Sequence, residues 1–141
     1  MFNSELTQRL NKLKTPFYFY DLDLLDKTIL SLKDSLELNY NVYYAIKANN
    51  NSKIIKLIND HNLGIDAVSG EEINKSLNYK INPKKIVFAG VGKTKEEIIL
   101  AIKKKIYLFN CESFDEVKLI DKISNELNVT TEIAIRLNPN I

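Results

Sequence analysis

The sequence is poor in cysteine and histidine and has no long apolar run. Cys111 is the one cysteine and His61 the one histidine among 141 residues. A lone cysteine excludes an internal disulfide, which suits a reducing compartment, and no Cys/His cluster has the spacing of a metal site. No apolar stretch approaches the length that crosses a bilayer, and the first residues lack a signal-peptide pattern. We therefore expect a cytoplasmic protein with no metal and no membrane contact.

Glycine, proline and net charge are also scarce. Four glycines and three prolines are present, and no low-complexity linker divides the chain. The 20 basic and 18 acidic side chains leave a net charge of +2, and no basic stripe alternates with aromatic residues. This excludes the usual electrostatic footprint of a nucleic-acid-binding protein. With 45% hydrophobic residues, the composition suits a globular protein with a moderate core.

What is present, from residue 42 onward, is an alternation of short apolar runs and amphipathic segments. Continuous apolar runs are typical of strands that are covered on both faces. Strands that alternate with helices at short, even intervals indicate stacked βαβ units and a parallel sheet. An open doubly wound sheet and part of a (β/α)8 barrel both satisfy this pattern. The predicted strands are residues 42–47, 65–69, 85–89, 107–110 and 132–138, with helices around residues 54–58, 71–79, 95–104 and 114–127.

The first 36 residues follow a different pattern. Leucines at helical spacing predict a short amphipathic helix over residues 4–14, which Pro16 ends. The aromatic run at residues 17–20 predicts a strand. Asp21 or Asp23 is predicted to cap the helix that follows.

Three charged residues lie at or near the ends of predicted strands. Lys47 ends the first strand, Asp66 lies within the second and Arg136 within the fifth. The carboxyl ends of parallel strands share one edge of the sheet, where barrel active sites are built, so we predict that these side chains cluster there. Ala45 shares a face of its strand with Lys47, and small side chains below the charges leave room for a flat ligand. A desolvated lysine amine at this edge could attack a carbonyl group.

Each of these residues also has a purely structural explanation. Lys47 could extend from the strand end into water. Asp66 could cap the next helix, although Ser69 is better placed to do so, and Arg136 could form an ion pair with Asp66. The convergence of a lysine, an acid and an arginine on one edge favours a binding site over these explanations.

Residues 90–94, Gly-Val-Gly-Lys-Thr, follow a predicted strand and precede a predicted helix, as a phosphate-binding loop does. A Walker A loop requires glycine five positions before Gly92, where Val87 stands. We therefore interpret the glycines as a tight turn and not as a nucleotide site. Cys111 has no nearby base and His61 lies at a polar helix end, so both are interpreted as structural residues.

Five segments stand out in chain order: TPFYFYD at residues 15–21, YAIKAN at 44–49, DAVSG at 66–70, FAGVGK at 88–93 and IRLNP at 135–139. In this order they resemble the N-terminal part of the diaminopimelate decarboxylases, which belong with the ornithine and arginine decarboxylases to the fold-type III pyridoxal-phosphate enzymes. The resemblance selects the barrel over the open sheet. It implies an α/β fold: a partial (β/α)8 TIM barrel of the alanine racemase-like type, with about five of eight βα units, preceded by a strand of a β domain.

The resemblance also implies a cofactor and a reaction. Lys47 would be the catalytic residue and would carry pyridoxal 5′-phosphate on its side-chain nitrogen, with Ala45 beside the ring. Asp66 and Arg136 match polar positions around the cofactor, and Glu72 matches a further one. The implied reaction is decarboxylation of meso-2,6-diaminopimelate to L-lysine and carbon dioxide, in lysine biosynthesis. The implied partners are a small amino-acid substrate and, in the full-length parent, a second identical subunit.

In this family eight barrel strands are followed by a β domain, which completes the site across a dimer interface. The present sequence stops after about five predicted strands, so the resemblance implies a fragment of a longer parent. Residues 1–36 are expected to form an N-terminal helix, a β-domain strand and a connecting helix, and residues 37–141 the first part of the barrel. We expect the parent to be active and this piece to be inactive.

Several alternatives stay open. Decarboxylases of ornithine, arginine or carboxynorspermidine share these motifs. Alanine racemase would be expected to show Tyr-Gly soon after the Lys-Ala-Asn at residues 47–49, where Asn50, Asn51 and Ser52 follow. A non-catalytic pyridoxal-phosphate carrier would be a single barrel without the aromatic segment at residues 15–20, and the charged edge disfavours a pure interaction module.

Overall fold

A computed structural model of the chain describes residues 4–36 and 40–139. The chain divides into two compact units, Met1–Asp34 and Ser35–Ile141. The first contains helix α1 (Ser4–Leu10) and most of helix α2 (Leu22–Ser35). Within the described ranges, no helix combines the length and the apolar character that a membrane crossing requires.

The N-terminal unit differs from the prediction in two elements, of which the first is α1, which ends at Leu10 and not just before Pro16. Asp21 caps α2 as expected, since its Oδ1 atom accepts a hydrogen bond of 2.9 Å from the N–H of Leu24. No strand forms at residues 17–20, however, and that prediction is wrong for this structure. Tyr18 and Tyr20 do stack, with ring centroids 6.4 Å apart. Aromatic residues favour a strand, but a strand needs a hydrogen-bonded neighbour as well. The five described strands pair only with one another, so residues 17–20 have no such neighbour among them.

The second unit contains every predicted strand and helix from residue 42 onward. Three helices keep nearly their predicted bounds, and α3 extends beyond residues 54–58 at both ends. Four strands are shorter than predicted, because the sheet ladder ends where the chain turns toward the next helix, and β4 keeps its predicted length. The strands are β1 (Tyr43–Ala45), β2 (Gly64–Ala67), β3 (Ile86–Phe88), β4 (Leu108–Cys111) and β5 (Ile133–Ile135); the helices are α3 (Ser52–Asp60), α4 (Gly70–Asn78), α5 (Lys95–Lys103) and α6 (Phe114–Glu126).

The strand order decides between the two predicted architectures. The five strands lie side by side in chain order, β1-β2-β3-β4-β5, and each neighbouring pair is parallel. A doubly wound sheet reverses its order at a switch point, whereas a (β/α)8 barrel keeps sequential order. Since no reversal occurs among the described strands, the prediction of successive βα units of a TIM barrel is confirmed.

The hydrophobic core lies between the sheet and its helices. Phe88 and Phe109 pack with ring centroids 5.9 Å apart, and Cys111 beside them is fully buried, in agreement with its predicted packing role. Burial of each large apolar side chain contributes about 2 kcal/mol. The strand residues on this face are Ile65, Ala67, Ile86, Phe88, Phe109 and Cys111, and the buried helix isoleucines are Ile54, Ile55, Ile58, Ile73, Ile98, Ile120 and Ile123.

The opposite face of the sheet carries two of the predicted site residues, Ala45 and Asp66. The register places Ala45 beside Asp66, and Asp66 beside Val87. Further along, Asn110 lies beside Ala134. In a closed barrel this face lines the interior, and its carboxyl edge carries the active site.

Candidate functional site

Lys47 lies in a 3₁₀ turn, Ile46–Ala48, that directly follows β1. The prediction that Lys47 is the last residue of a buried strand is therefore wrong. The Lys47 side chain is exposed. The turn itself is anchored, because Ile46 is fully buried and the Tyr44 hydroxyl donates a hydrogen bond of 3.0 Å to the carbonyl oxygen of Asn49. Lys47 thus presents an exposed amine from a fixed backbone position at the carboxyl end of β1.

Asp66 has an unused acceptor next to this amine. It lies in β2 beside Ala45, and its Oδ1 atom is buried without a hydrogen-bond partner among the described residues. Burial raises the pKa of the Asp66 carboxyl; the Lys47 ammonium acts in the opposite direction, and the Glu72 carboxylate adds to the rise. Lys47, Asp66 and Glu72 are therefore close enough to interact electrostatically, while the clustering of Arg136 with Lys47 and Asp66 stays a prediction.

Glu72 lies in the first turn of α4, and its carboxylate also serves the backbone. Its Oε2 atom accepts a hydrogen bond of 2.8 Å from the N–H of Val68. The hydroxyl of Ser69 accepts a hydrogen bond of 3.3 Å from the N–H of Glu72. Ser69, and not Asp66, is thus the cap of α4. Glu72 fixes the loop after β2 and acts on Asp66 through its charge.

Arg136 directly follows β5 and is held by Glu112. Its Nη1 atom lies 3.1 Å from Glu112 Oε1, and its Nε atom donates a hydrogen bond of 3.3 Å to Asn138 Oδ1. The alternative of an ion pair with Asp66 is therefore wrong, since Arg136 stands three strands away from β2 along the same edge. Its side chain is 59% exposed, which leaves guanidinium donors available to a ligand.

The loop at residues 90–94 forms a tight turn, as predicted. Gly92 has a φ of +69°, a left-handed conformation that favours glycine. A Cβ atom at Gly90 would overlap the carbonyl oxygen of Val68. Both glycines therefore serve the backbone path between β3 and α5.

No role is predicted for Lys93 from the sequence, yet its side chain is 0% exposed. Its Nζ atom donates hydrogen bonds to the carbonyl oxygens of Gly90 and Asn110, both at 2.7 Å, and to Glu116 Oε1 at 2.8 Å. Lysines are numerous in this chain, and nothing in the local sequence separates a buried one from the many solvated ones. Two of the three acceptors lie in β4 and α6, which only the folded sheet brings next to the loop that carries Lys93.

A repeated sequence pattern at the helix starts is a signal that could have located the glutamates at this edge of the sheet. Three successive helices begin with Ser or Thr followed three residues later by Glu, the signature of a capping box. In each, the hydroxyl oxygen accepts a hydrogen bond from the N–H of the glutamate. The pairs are Ser69–Glu72, Thr94–Glu97 and Ser113–Glu116, and all stand at the carboxyl edge of the sheet.

Each of these groups has the chemistry to contribute to the binding of an anionic aldehyde. The exposed amine of Lys47 can condense with a carbonyl group, the guanidinium of Arg136 can attract an anion, and Asp66 keeps an acceptor for a polar ligand atom. The small side chain of Ala45 lies beside Asp66 on the same face. No group of three or more potential metal-ligating side chains occurs in residues 4–36 and 40–139.

The chain matches a family model and several known proteins. Residues 22–141 match the family described as pyridoxal-dependent decarboxylase, pyridoxal binding domain. The chain is 42% identical over 142 residues to the diaminopimelate decarboxylase of Helicobacter pylori, with 100% of this chain and 35% of that protein covered. It is 37% identical over 138 residues to the diaminopimelate decarboxylase of Campylobacter jejuni, with 97% of this chain and 34% of that protein covered.

A solved structure agrees with the fold. The crystal structure of the Helicobacter pylori diaminopimelate decarboxylase complexed with L-lysine matches with a TM-score of 0.89 and 40% identity, over 96% of this chain and 34% of that one. The chain thus spans about a third of the length of these relatives. The family match over residues 22–141 contains four of the five sequence segments on which the resemblance was predicted, and the Helicobacter pylori relative covers all five. The chain therefore belongs to the pyridoxal-dependent decarboxylase family.

Proposed function

We propose that the protein containing this chain decarboxylates meso-2,6-diaminopimelate to L-lysine and carbon dioxide, with pyridoxal 5′-phosphate as cofactor. The observation that carries this proposal is the exposed amine of Lys47 next to the unpartnered Oδ1 atom of Asp66. Relatives with up to 42% identity are named diaminopimelate decarboxylase. One related crystal structure contains L-lysine, which is the product of the proposed reaction.

The residues at this edge fit the proposed cofactor. Lys47 would hold its aldehyde carbon, and Arg136 offers exposed guanidinium donors for an anionic group. Ala45 leaves space for a flat ring on the face that it shares with Asp66. When bound, pyridoxal phosphate supplies an electron sink for the electron pair that departing carbon dioxide leaves behind.

The chain's own residues would orient the reactants and move protons. The anchored turn keeps the Lys47 nitrogen at one place, so that this amine can accept or deliver a proton after substrate has displaced it. Asp66 would accept a hydrogen bond through its unused oxygen. Glu72 would influence Asp66 through its charge while it holds the loop at Val68.

The wider setting of the site is also a proposal. We infer a cytoplasmic homodimer that binds a small amino-acid substrate and neither nucleic acid nor membrane. Residues 1–36 would contribute to a β domain and residues 37–141 would form the first part of the barrel. The chain alone would be inactive, because its relatives use about three times this length.

Reductive trapping tests the assignment of the amine. The chain is incubated with pyridoxal phosphate, reduced with borohydride and digested, and the labelled peptides are mapped. We expect label on Lys47, loss of that label in Lys47→Ala, and unchanged label in Lys53→Ala, a matched control at an exposed lysine on α3. Label spread evenly over exposed lysines would contradict the assignment.

Activity is measured in the complete gene product that contains this chain. We expect carbon dioxide release from meso-2,6-diaminopimelate, and a loss of at least about a thousandfold in Lys47→Ala. Release from ornithine or arginine in preference to diaminopimelate would overturn the proposed substrate. Undiminished release in Lys47→Ala would overturn the proposed chemistry.

A further inference from the structure

We infer that Lys93 and Glu116 are positioning residues for Arg136. A chain of hydrogen bonds leads from the buried Lys93 ammonium through Glu116 and Glu112 to the Arg136 guanidinium. The inference rests on the proposed function for its significance, since it concerns how a predicted cofactor-binding side chain is held. Its test contains no cofactor, so it can fail independently of that function.

The first link is the saturated ammonium of Lys93. Its three hydrogen bonds reach the loop after β3 at Gly90, the end of β4 at Asn110, and the first turn of α6 at Glu116, with distances of 2.7 to 2.8 Å. The same nitrogen lies 5.2 Å from the centroid of the Phe88 ring. Because all three N–H donors of this ammonium are used, the ammonium fixes the loop after β3 relative to the end of β4 and the first turn of α6.

The second link is the carboxylate of Glu116, which is shared between two donors. Its Oε1 atom accepts from Lys93, and its Oε2 atom accepts a hydrogen bond of 2.8 Å from the backbone N–H of Glu112. The Glu116 side chain is 9% exposed. A carboxylate bound on both oxygens has one orientation, and it transfers the fixed position of Lys93 to the backbone of Glu112.

The third link joins Glu112 to Arg136. Glu112 Oε1 accepts a hydrogen bond of 3.1 Å from Arg136 Nη1. The backbone N–H of Arg136 donates a hydrogen bond of 2.9 Å to the carbonyl oxygen of Cys111. The Arg136 side chain is long and exposed, so its rotamers are restricted by its hydrogen bonds to Glu112 and Asn138. Where Glu112 is displaced, Arg136 loses the partner that aims it along the carboxyl edge.

Charge substitutions break the chain at defined links. In Glu116→Gln, the side-chain amide has only one acceptor oxygen, so it cannot serve both Lys93 and the N–H of Glu112. In Lys93→Met, Glu116 loses its buried cation, and the unfolding equilibrium constant should rise by about a thousandfold. Glu112→Gln removes the last charge directly and serves as the positive control.

The readout is the guanidinium Nη–H signals of Arg136 in ¹⁵N NMR spectra of the folded chain, because Nη1 is the atom that donates to Glu112. The sequence has two arginines, and Arg9 supplies an internal reference. We expect exchange of the Arg136 Nη–H protons with water to rise by up to about fivefold in Glu116→Gln and Lys93→Met, as in Glu112→Gln. Exchange at Arg9 should stay unchanged.

Two controls separate positioning from stability. Ile55→Ala removes core packing in α3 at a residue that is fully buried, and it should lower stability without changing the Arg136 signal. Asp115→Asn alters an exposed acid next to Glu116 and should change neither. An Arg136 signal that responds to Glu112→Gln but stays native in folded Glu116→Gln overturns the inference, and that variant decides the matter if Lys93→Met does not fold.

Discussion

Glu97 in the first turn of α5 accepts a hydrogen bond of 2.8 Å on Oε1 from the backbone N–H of Gly70, which begins α4. Its other oxygen, Oε2, accepts a hydrogen bond of 3.0 Å from the N–H of Thr94. One carboxylate thus satisfies donors at the starts of two successive helices. The two loops that precede α4 and α5 are thereby joined at the edge that carries the candidate site.

These contacts predict an acid-dependent loss of stability. The hydrogen bonds from Gly70 and Thr94 lower the pKa of the Glu97 carboxyl in the folded chain. A lowered folded-state pKa contributes stability that is present above the ordinary carboxyl pKa and is lost as pH falls through the folded value. We expect Glu97→Gln to lower the free energy of unfolding by about 1 kcal/mol at neutral pH. The difference from wild type should vanish at acid pH, as measured by urea unfolding over a pH series.

Glu96→Gln is the matched control for this prediction. Glu96 is an exposed acid in the same first turn, so it shares the favourable interaction with the helix dipole but caps no second helix. Its substitution should change the stability at neutral pH by only a few tenths of a kcal/mol. An equal effect of both substitutions would show that the contact with Gly70 contributes nothing of its own.

The backbone path at the edge predicts a second difference, between two glycines. A Cβ atom at Gly90 would overlap the backbone of Val68, which cannot move without disturbing β2. At Gly92 the φ of +69° is unfavourable for alanine, but nothing lies within 4 Å of the added atom. We expect Gly90→Ala to cost about 3 kcal/mol of unfolding free energy and Gly92→Ala about 1 kcal/mol.

Thermal and urea unfolding of the two variants measure this difference. The ratio of the two losses in unfolding free energy distinguishes two explanations. If the turn conformation alone required glycine, Gly92→Ala would be the more destabilising substitution. A larger loss in Gly92→Ala would therefore contradict the close approach of the loop to Val68. Far-UV circular dichroism shows whether each variant still forms the fold before its stability is compared.

How far the sequence predicts this molecule depends on whether a feature is local. Apolar runs such as Ile86–Phe88 and helix caps such as Ser69 are encoded within a few neighbouring residues, so the βα alternation and the helix starts are predictable. The partner of Arg136 is not predictable in this way, because Glu112 reaches it across the β4–β5 ladder. The burial of Lys93 is missed for the same reason, since two of its three acceptors lie 17 and 23 residues away.

The exposed position of Lys47 shows a further limit of sequence patterns. Continuous apolar residues predict a strand to residue 47, yet β1 ends at Ala45 and a 3₁₀ turn follows. The turn buries Ile46 and turns Lys47 outward. Hydrophobicity alone does not distinguish a buried turn residue from a strand residue, so the chemistry of the lysine is predictable while its local backbone is not.

We expect the ionised carboxylate of Asp66 to lower the free energy of unfolding at neutral pH. Burial raises the pKa of its carboxyl above the ordinary value, with Glu72 adding to the rise and Lys47 opposing it. A raised folded-state pKa means that the folded chain binds this proton more tightly, so stability declines as pH rises from the ordinary value through the folded one. We expect Asp66→Asn to raise the free energy of unfolding at neutral pH by about 0.5 kcal/mol, since solvent screens a half-exposed group.

The same substitution should reduce reductive trapping of pyridoxal phosphate on Lys47 by about tenfold, because an amide in place of the carboxylate removes the charge beside the amine. Asp60→Asn, at an exposed aspartate on α3, should change neither stability nor trapping. A gain in stability joined to a loss of trapping marks a residue kept for chemistry and not for folding. If Asp66→Asn instead lowers stability and leaves trapping unchanged, the carboxylate is structural. That result would contradict a role for Asp66 in the proposed site.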